Sequence, residues 1–191
     1  MSRALNVDLI EDFLSEKEAD QLLVDLTHSL EWRQDSITLY GNSHPIPRLQ
    51  CFIAESGIQY RYSNLTLEGS GFPKTLRSLK AKIESTTHQR FNAVLCNLYR
   101  DGHDSMGWHS DNEPELGEQP VIASLSLGST RTFRFRHLKH QKETIDFELN
   151  HGSLLIMRAG VQEEWQHSVP KRLRVKQPRI NLTFRLIDPT P

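Results

Sequence analysis

His109-Ser110-Asp111 sets an imidazole and a carboxylate two residues apart, and an extended backbone turns alternate side chains to one face. Both can therefore point at one ion. His167, in the later segment WQHSVP, supplies a second nitrogen. Two histidines and one carboxylate on one face of an iron leave positions open for a co-substrate and O2. The same ligand types also suit zinc, so the identity of the ion has to come from the rest of the site. Other histidines read differently: His103 beside Asp104 fits a solvated loop, and His151 beside Gly152 a turn. His137 and His140, flanking Lys139 near a strand end, fit solvation or phosphate contact.

The segment RINLTFR at 179–185 alternates with period two. Ile180, Leu182, Phe184 and Leu186 share one face, and Arg179, Asn181, Thr183 and Arg185 share the other. A row of such polar groups in an otherwise apolar C-terminal strand reads as the wall of a polar cavity. Six residues at about 3.3 Å rise set the two arginine backbones roughly 20 Å apart. Two guanidinium arms reaching inward can bracket a small dicarboxylate, because each fork matches a carboxylate. This favours iron, since a zinc hydrolase would leave both arginines without a task. Asn97 and Tyr99, one dyad apart in FNAVLCNLY, add an amide and a phenol to the same pocket.

These groups need a scaffold, and the chain spells out its elements. Ser15-Glu16-Lys17-Glu18 forms a capping box ahead of Leu22, Leu23, Leu26 and Leu30 at helical spacing. A second helix is predicted from Pro73, as its first residue, through Leu76, Leu79 and Ile83. Residues 33–66 read as loops with short strands. From Phe91 onward come FNAVLCNLY, VIASLSL, RTFRFRHL, TIDFELN, SLLIMR and RINLTFRLI, punctuated by Gly128-Ser129-Thr130 and Asn150-His151-Gly152. Many short strands after two helices predict a mainly β fold, a sandwich or jelly roll with helices on one outer face. No repeat or linker divides the chain, so residues 1–191 read as a single domain.

Composition narrows the partners. At 37% hydrophobic and 25% charged the chain is a soluble globular type. Its net charge of −1 means that any grip on phosphate must come from local clusters. Lys171-Arg172-Leu173-Arg174-Val175-Lys176 is one such run; Arg131, Arg134, Arg136, Lys139 and Lys142 form another. The only cysteines, Cys51 and Cys96, lie outside any CxxC spacing, which fits a reducing compartment. Asp8, Glu11 and Asp12 interrupt what would be a leader, and no apolar run is long enough to span a bilayer. The expectation is an intracellular protein, cytoplasmic or (in a eukaryote) nuclear, monomeric and without a membrane partner.

Taken together, N-x-Y at 97–99, H-x-D at 109–111, His167 and R-x-N-x-T-F-R at 179–185 resemble the AlkB family of oxidative nucleic-acid demethylases. The resemblance implies a double-stranded β-helix (jelly-roll) core over 91–188, with helices and substrate-recognition loops in 1–90. It implies Fe(II) on His109, Asp111 and His167, with O2 and 2-oxoglutarate as co-substrates. Asn97, Tyr99, Arg179, Asn181 and Arg185 would hold the 2-oxoglutarate, with Thr183 on the same face. Arg179 would take the distal carboxylate and Arg185 would lie near the iron-bound end.

Similarity upstream points to the duplex-DNA-repair branch. Leu39-Tyr40-Gly41 falls where that branch carries an apolar-aromatic-glycine finger, with Tyr here in place of the usual Phe; Pro47-Arg48 and Tyr60-Arg61-Tyr62-Ser63 match its next segments. A base stacked in a duplex cannot reach a buried metal, so it must be extruded and the gap filled. On this reading Tyr62 and the His109 ring sandwich the base, and Glu113 faces its polar edge, where a carboxylate suits a cationic methylated base. Tyr40, Arg48 and Tyr60 touch the substrate, and Lys171, Arg172 and Arg174 grip phosphates. The implied reaction is demethylation of 1-methyladenine and 3-methylcytosine in single- or double-stranded DNA, releasing formaldehyde, succinate and CO2. Alternatives are the same chemistry on RNA, transfer RNA or a protein side chain, and a jelly-roll module that binds modified nucleic acid without turnover. Intact ligands and both arginines argue against the last.

Overall fold

The computed structural model describes residues 4–39, 41–62 and 65–188, with only the backbone at 37–39, 60–62 and 65–67. In chain order the first half gives β1 (Val7–Ile10), α1 (Glu16–Ser29), β2 (Ser36–Leu39), β3 (Asn42–Pro45), β4 (Leu49–Ala54), β5 (Gln59–Tyr62), β6 (Leu65–Glu68) and α2 (Lys74–Thr87). The second half gives β7 (Ala93–Tyr99), β8 (Met106–His109), β9 (Ile122–Gly128), β10 (Arg131–His137), β11 (Thr144–Leu149) and β12 (Leu154–Met157). A single helical turn, α3 (Val161–Glu164), then precedes β13 (Trp165–Val169) and β14 (Arg179–Arg185).

The strands form a six-stranded sheet in the order β1-β12-β9-β14-β7-β4 and a four-stranded sheet in the order β11-β10-β13-β8. All neighbours in both sheets pair antiparallel. This is the mainly β, jelly-roll class that the strand pattern predicts. The hairpins β2-β3 and β5-β6 stand apart from both sheets.

Period-two alternation on β7 and β14 separates two interiors. Val94, Cys96, Leu98, Ile180, Leu182 and Phe184 face one way and pack with Leu22 and Leu26 of α1 and Leu76, Leu79 and Ile83 of α2. Tyr99 faces the other way, into a second core with Phe133 and Phe135 of β10 and Trp165 and Val169 of β13. The helices thus cover one outer face, and the site side chains lie between the sheets.

The Ser15 capping box is formed: Glu18 N–H donates to Ser15 Oγ at 3.4 Å, and Ser15 N–H donates to Glu18 Oε2 at 2.9 Å. Pro73 is the N-cap of α2 rather than its first helical residue, with extended ψ of 153°. Leu186, expected on the apolar face of β14, is 53% exposed because the strand ends at Arg185. The larger difference lies in residues 33–66. There Leu49–Ala54 joins the main sheet as an edge strand, paired with β7 over its full length. None of the described helices is long and apolar enough to cross a membrane.

Candidate metal and co-substrate site

β8 and β13 pair so that His109 lies directly opposite His167, and the two rings stand 4.2 Å apart in edge contact. Asp111 follows just beyond the end of β8, so the H-x-D motif spans a strand end and is not wholly extended. Its backbone N–H has left the sheet and instead donates to the Oε1 of buried Gln162 at 3.0 Å. Ligand atoms of His109, Asp111 and His167 lie within 4.8 Å of one another, and His109 Nε2 is 3.9 Å from Asp111 Oδ1. Two atoms about 2.1 Å from a shared ion can be at most about 4.2 Å apart. A sub-ångström adjustment therefore closes the set on one metal.

The surroundings prepare each ligand. His109 Nδ1 lies 2.9 Å from the Gly107 carbonyl, which favours a proton on Nδ1 and leaves Nε2 to coordinate. His167 stacks on Phe133 at 5.0 Å. Burial, reinforced by His109 and Arg185, pushes its imidazole pKa down to about 3, so it is neutral at physiological pH. Its buried Nδ1 has no hydrogen-bond partner among the described residues. Burial would raise the Asp111 pKa, but Arg185, then His167 and His109, hold it at about 2. Arg185 Nη2 donates to Asp111 Oδ2 at 3.0 Å, which leaves Oδ1 to face the histidines. Two imidazoles and one ionised carboxylate are a fitting donor set for Fe(II).

Beside the triad lies a cavity lined by Asn97, Tyr99, Asn181, Thr183 and Arg185, with Met106, Phe133 and Val169 on its apolar side. β14 is flanked by β7 and β9, with Arg179 opposite Tyr99 and Asn181 opposite Asn97 and Ser126. Asn181 Nδ2 donates to Ser124 Oγ at 2.8 Å, and Arg179 Nη2 to Ser126 Oγ at 2.8 Å. Arg179 is 1% exposed, and its Nε and Nη1 are buried with no hydrogen-bond partner among the described residues. Burial pushes its guanidinium down to about 10, opposed by Tyr99. Unpartnered buried N–H groups are costly, and a carboxylate would satisfy them. The residues present therefore fit both an iron ion and a dicarboxylate.

Residues 6–185 match the model of the 2OG-Fe(II) oxygenase superfamily. The chain belongs to that family. Within it the chain groups with the AlkB homologues. It is 43% identical over 194 residues to the mouse alpha-ketoglutarate-dependent dioxygenase alkB homolog 3, covering 97% of this chain and 67% of that protein. It is 38% identical over 183 residues to the cattle DNA oxidative demethylase ALKBH2, covering 91% of this chain and 66% of that one. The chain thus spans about two thirds of the length of these relatives. The solved structure of OsALKBH1 superposes with a TM-score of 0.67 at 16% identity, over 97% of this chain and all of that one, a likeness of fold. The protein is an Fe(II)- and 2-oxoglutarate-dependent dioxygenase that uses O2.

The remaining expected positions divide. Arg48, expected at the substrate, is buried, and its Nε donates to Asn97 Oδ1 at 2.9 Å. Glu113 is half-buried at the start of a 3-10 turn, Pro114–Leu116, and is not in the cavity wall. Lys171, Arg172 and Arg174 are exposed on the connection from β13 to β14, with Arg172 Nη1 on Glu148 Oε2 at 2.6 Å. Tyr40 lies outside the described residues, as do the side chains of Tyr60 and Tyr62.

Two expectations need correction. His137 is 4% exposed, packed at 5.0 Å against Trp165, with Nδ1 accepting from the Lys139 and His140 N–H groups. It closes a turn inside the protein and is not a solvated or phosphate-facing residue. Arg131 is 1% exposed, so the second basic cluster loses a member to the interior. Within that cluster Arg134 is occupied by Asp146 at 2.6 Å, and Arg136 lies over Trp108 at 4.2 Å. Sequence reasoning also missed Gln162, Gln50, Ser124 and Ser126. The two serines had a signal, as polar positions two apart in VIASLSL; Gln162 and Gln50 had none.

Proposed function

We propose that this dioxygenase removes N-methyl groups from bases of nucleic acid, with 1-methyladenine and 3-methylcytosine in DNA as substrates. The observation that carries the reading is the 38% identity to a DNA oxidative demethylase across 91% of the chain, with the His109, Asp111 and His167 cluster intact. When bound, iron, 2-oxoglutarate and O2 would supply the oxidising chemistry that converts the N-methyl group to formaldehyde, with succinate and CO2 as co-products. The chain's part is to hold and orient. His109, Asp111 and His167 hold the ion, with Asp111 fixed by Arg185 on one oxygen and by Gln162 on its backbone. Asn97 presents its amide nitrogen to the cavity, because its oxygen already accepts from Arg48 Nε and Gln50 Nε2. Arg179 takes the distal carboxylate on its buried Nε and Nη1.

Lys171, Arg172 and Arg174 grip phosphates, and Glu113 lies toward the polar edge of the extruded base. The finger reading of Leu39-Tyr40-Gly41 is supported by the register of β2 and β3. Leu39 pairs with Asn42 in that hairpin, and Gly41 takes φ 80°, which glycine adopts freely. A turn glycine on a strand pair separate from both main sheets suits a finger there.

The test is a single-turnover assay with Fe(II), 2-oxoglutarate and oligonucleotides bearing 1-methyladenine, in single and double strands. Methyl loss matched by succinate is expected on both. Succinate without methyl loss would move the reading to RNA or protein. Tyr40→Ala should impair duplex repair alone; equal loss on both substrates would remove the finger.

A further inference from the structure

Arg131 is among the largest fully buried side chains and is positively charged. Among the described residues it donates to three backbone carbonyls, of Asp101, Asp104 and Pro170, at 3.1, 2.8 and 2.8 Å. Among the described residues no carboxylate accepts a hydrogen bond from it: Asp104 and Asp101 are near enough to attract it, but Asp104 is held by Arg100, and the Nε of Arg131 is buried without a partner. Its guanidinium carbon lies 5.5 Å from the centre of the Tyr99 ring, and that of Arg179 lies 5.3 Å from the same centre. Two buried cations therefore meet at one aromatic ring, with no anion hydrogen-bonded to either.

Such an arrangement is unfavourable until an anion arrives. A buried charge without a hydrogen-bonded counter-ion is costly even when carbonyl oxygens solvate it, and two like charges raise that cost together. The Tyr99 ring face is attractive to cations but carries no net charge. We propose that Arg131 is a positioning residue for the distal-carboxylate end of 2-oxoglutarate, a second cation acting across Tyr99 to strengthen the grip of Arg179. Its side chain ties the 101–104 loop, which follows Tyr99, to Pro170, where the connection toward Arg179 begins. The same residue thus fixes both walls of that end and adds a unit charge to it. The inference rests on Arg179 holding the distal carboxylate.

Two ligands separate charge from scaffolding. 2-Oxoglutarate and 2-oxopentanoate share the keto-acid head and chain length, and only the first carries the distal carboxylate. Affinities are measured by calorimetry with Mn(II) in place of iron. Arg131→Met is expected to weaken 2-oxoglutarate about tenfold while leaving 2-oxopentanoate within twofold, the scale of one unit charge at a distance in a partly polar interior. Equal weakening of both ligands would make Arg131 a clamp only and overturn the proposal.

Arg131→Lys can carry the charge but, buried beside Arg179, loses it at a lower pH than arginine does. Its preference for 2-oxoglutarate should come nearest the wild type at pH 6 and fall below it by pH 9. A preference parallel to the wild type throughout overturns the proposal even if the Met variant does not fold. Arg179→Met is the control for the underlying reading. If it keeps the full preference, the distal-carboxylate role of Arg179 fails; if it loses the preference and Arg131→Met does not, only the role of Arg131 fails.

Discussion

Arg185 Nη2 holds Asp111 Oδ2, so the carboxylate that completes the triad is aimed by a charge on a different strand. Removing a hydrogen-bond partner of a metal ligand typically lowers metal affinity by about 10- to 100-fold. Arg185→Met is therefore expected to weaken Mn(II) binding by that factor, measured by calorimetry without co-substrate; unchanged binding would mean that Asp111 needs no such support. Asp104 offers a pH test away from the metal. Burial would raise its pKa, but hydrogen bonds from the Arg100 side chain and backbone outweigh this and hold it below the ordinary value. A depressed carboxyl contributes stability that is present above its unfolded pKa, near 3.9, and lost as pH falls through the lower folded value. Wild type should thus exceed Asp104→Asn by an amount on the order of 1 kcal/mol at pH 6. The gap should narrow below pH 4 in melting experiments, and a gap that is flat with pH would discount the ion pair.

At the scale of the element, β4 carries more of the site than its sequence announces. Gln50 lies opposite Asn97 in the register with β7, and its Nε2 donates to Asn97 Oδ1 at 3.1 Å. Gln50→Leu keeps the strand's shape but frees one lone pair of Asn97, and its amide can then turn. The KM for 2-oxoglutarate should rise severalfold with kcat less affected, and thermal stability should drop by roughly 1 kcal/mol; a pure loss of stability would refute the orienting role. This strand was not legible because LQCFIA is one polar residue in a short apolar run, which neither alternates nor announces a partner. β14 was legible because its polar and apolar residues separate cleanly by parity, and α1 because its cap and its leucines agree. His137 and Arg131 misled for a common reason. Both are polar residues in an alternating, basic-looking strand, and only the fold shows that odd positions of β10 point inward.

Over the whole molecule the net charge of −1 gives no general attraction for nucleic acid, so binding has to depend on a few exposed cations. Arg172 is already paired with Glu148, which leaves Lys171 and Arg174 as the more responsive members of the loop. Replacing both by Gln should weaken oligonucleotide binding and reduce the slope of log affinity against log salt by about 1.4 for single strands. Fluorescence anisotropy over a salt series would show it, and an unchanged slope would place the phosphate grip elsewhere. The order of functional motifs along the chain could be read without a structure; which sheet carries each could not, because strand pairing is set by contacts between residues far apart in sequence.

That division between sheets has one outcome for motion. β14 is bonded on both sides by β7 and β9, whereas β8 is an edge strand of the smaller sheet and pairs only with β13 among the described strands. An ion joining His109 to His167 is then a rivet fastening a sheet's loose border to its interior. Chelating it should speed amide exchange at 106–109 and leave 180–184 as slow as before, so that the margin works free while the bed beneath stays fixed.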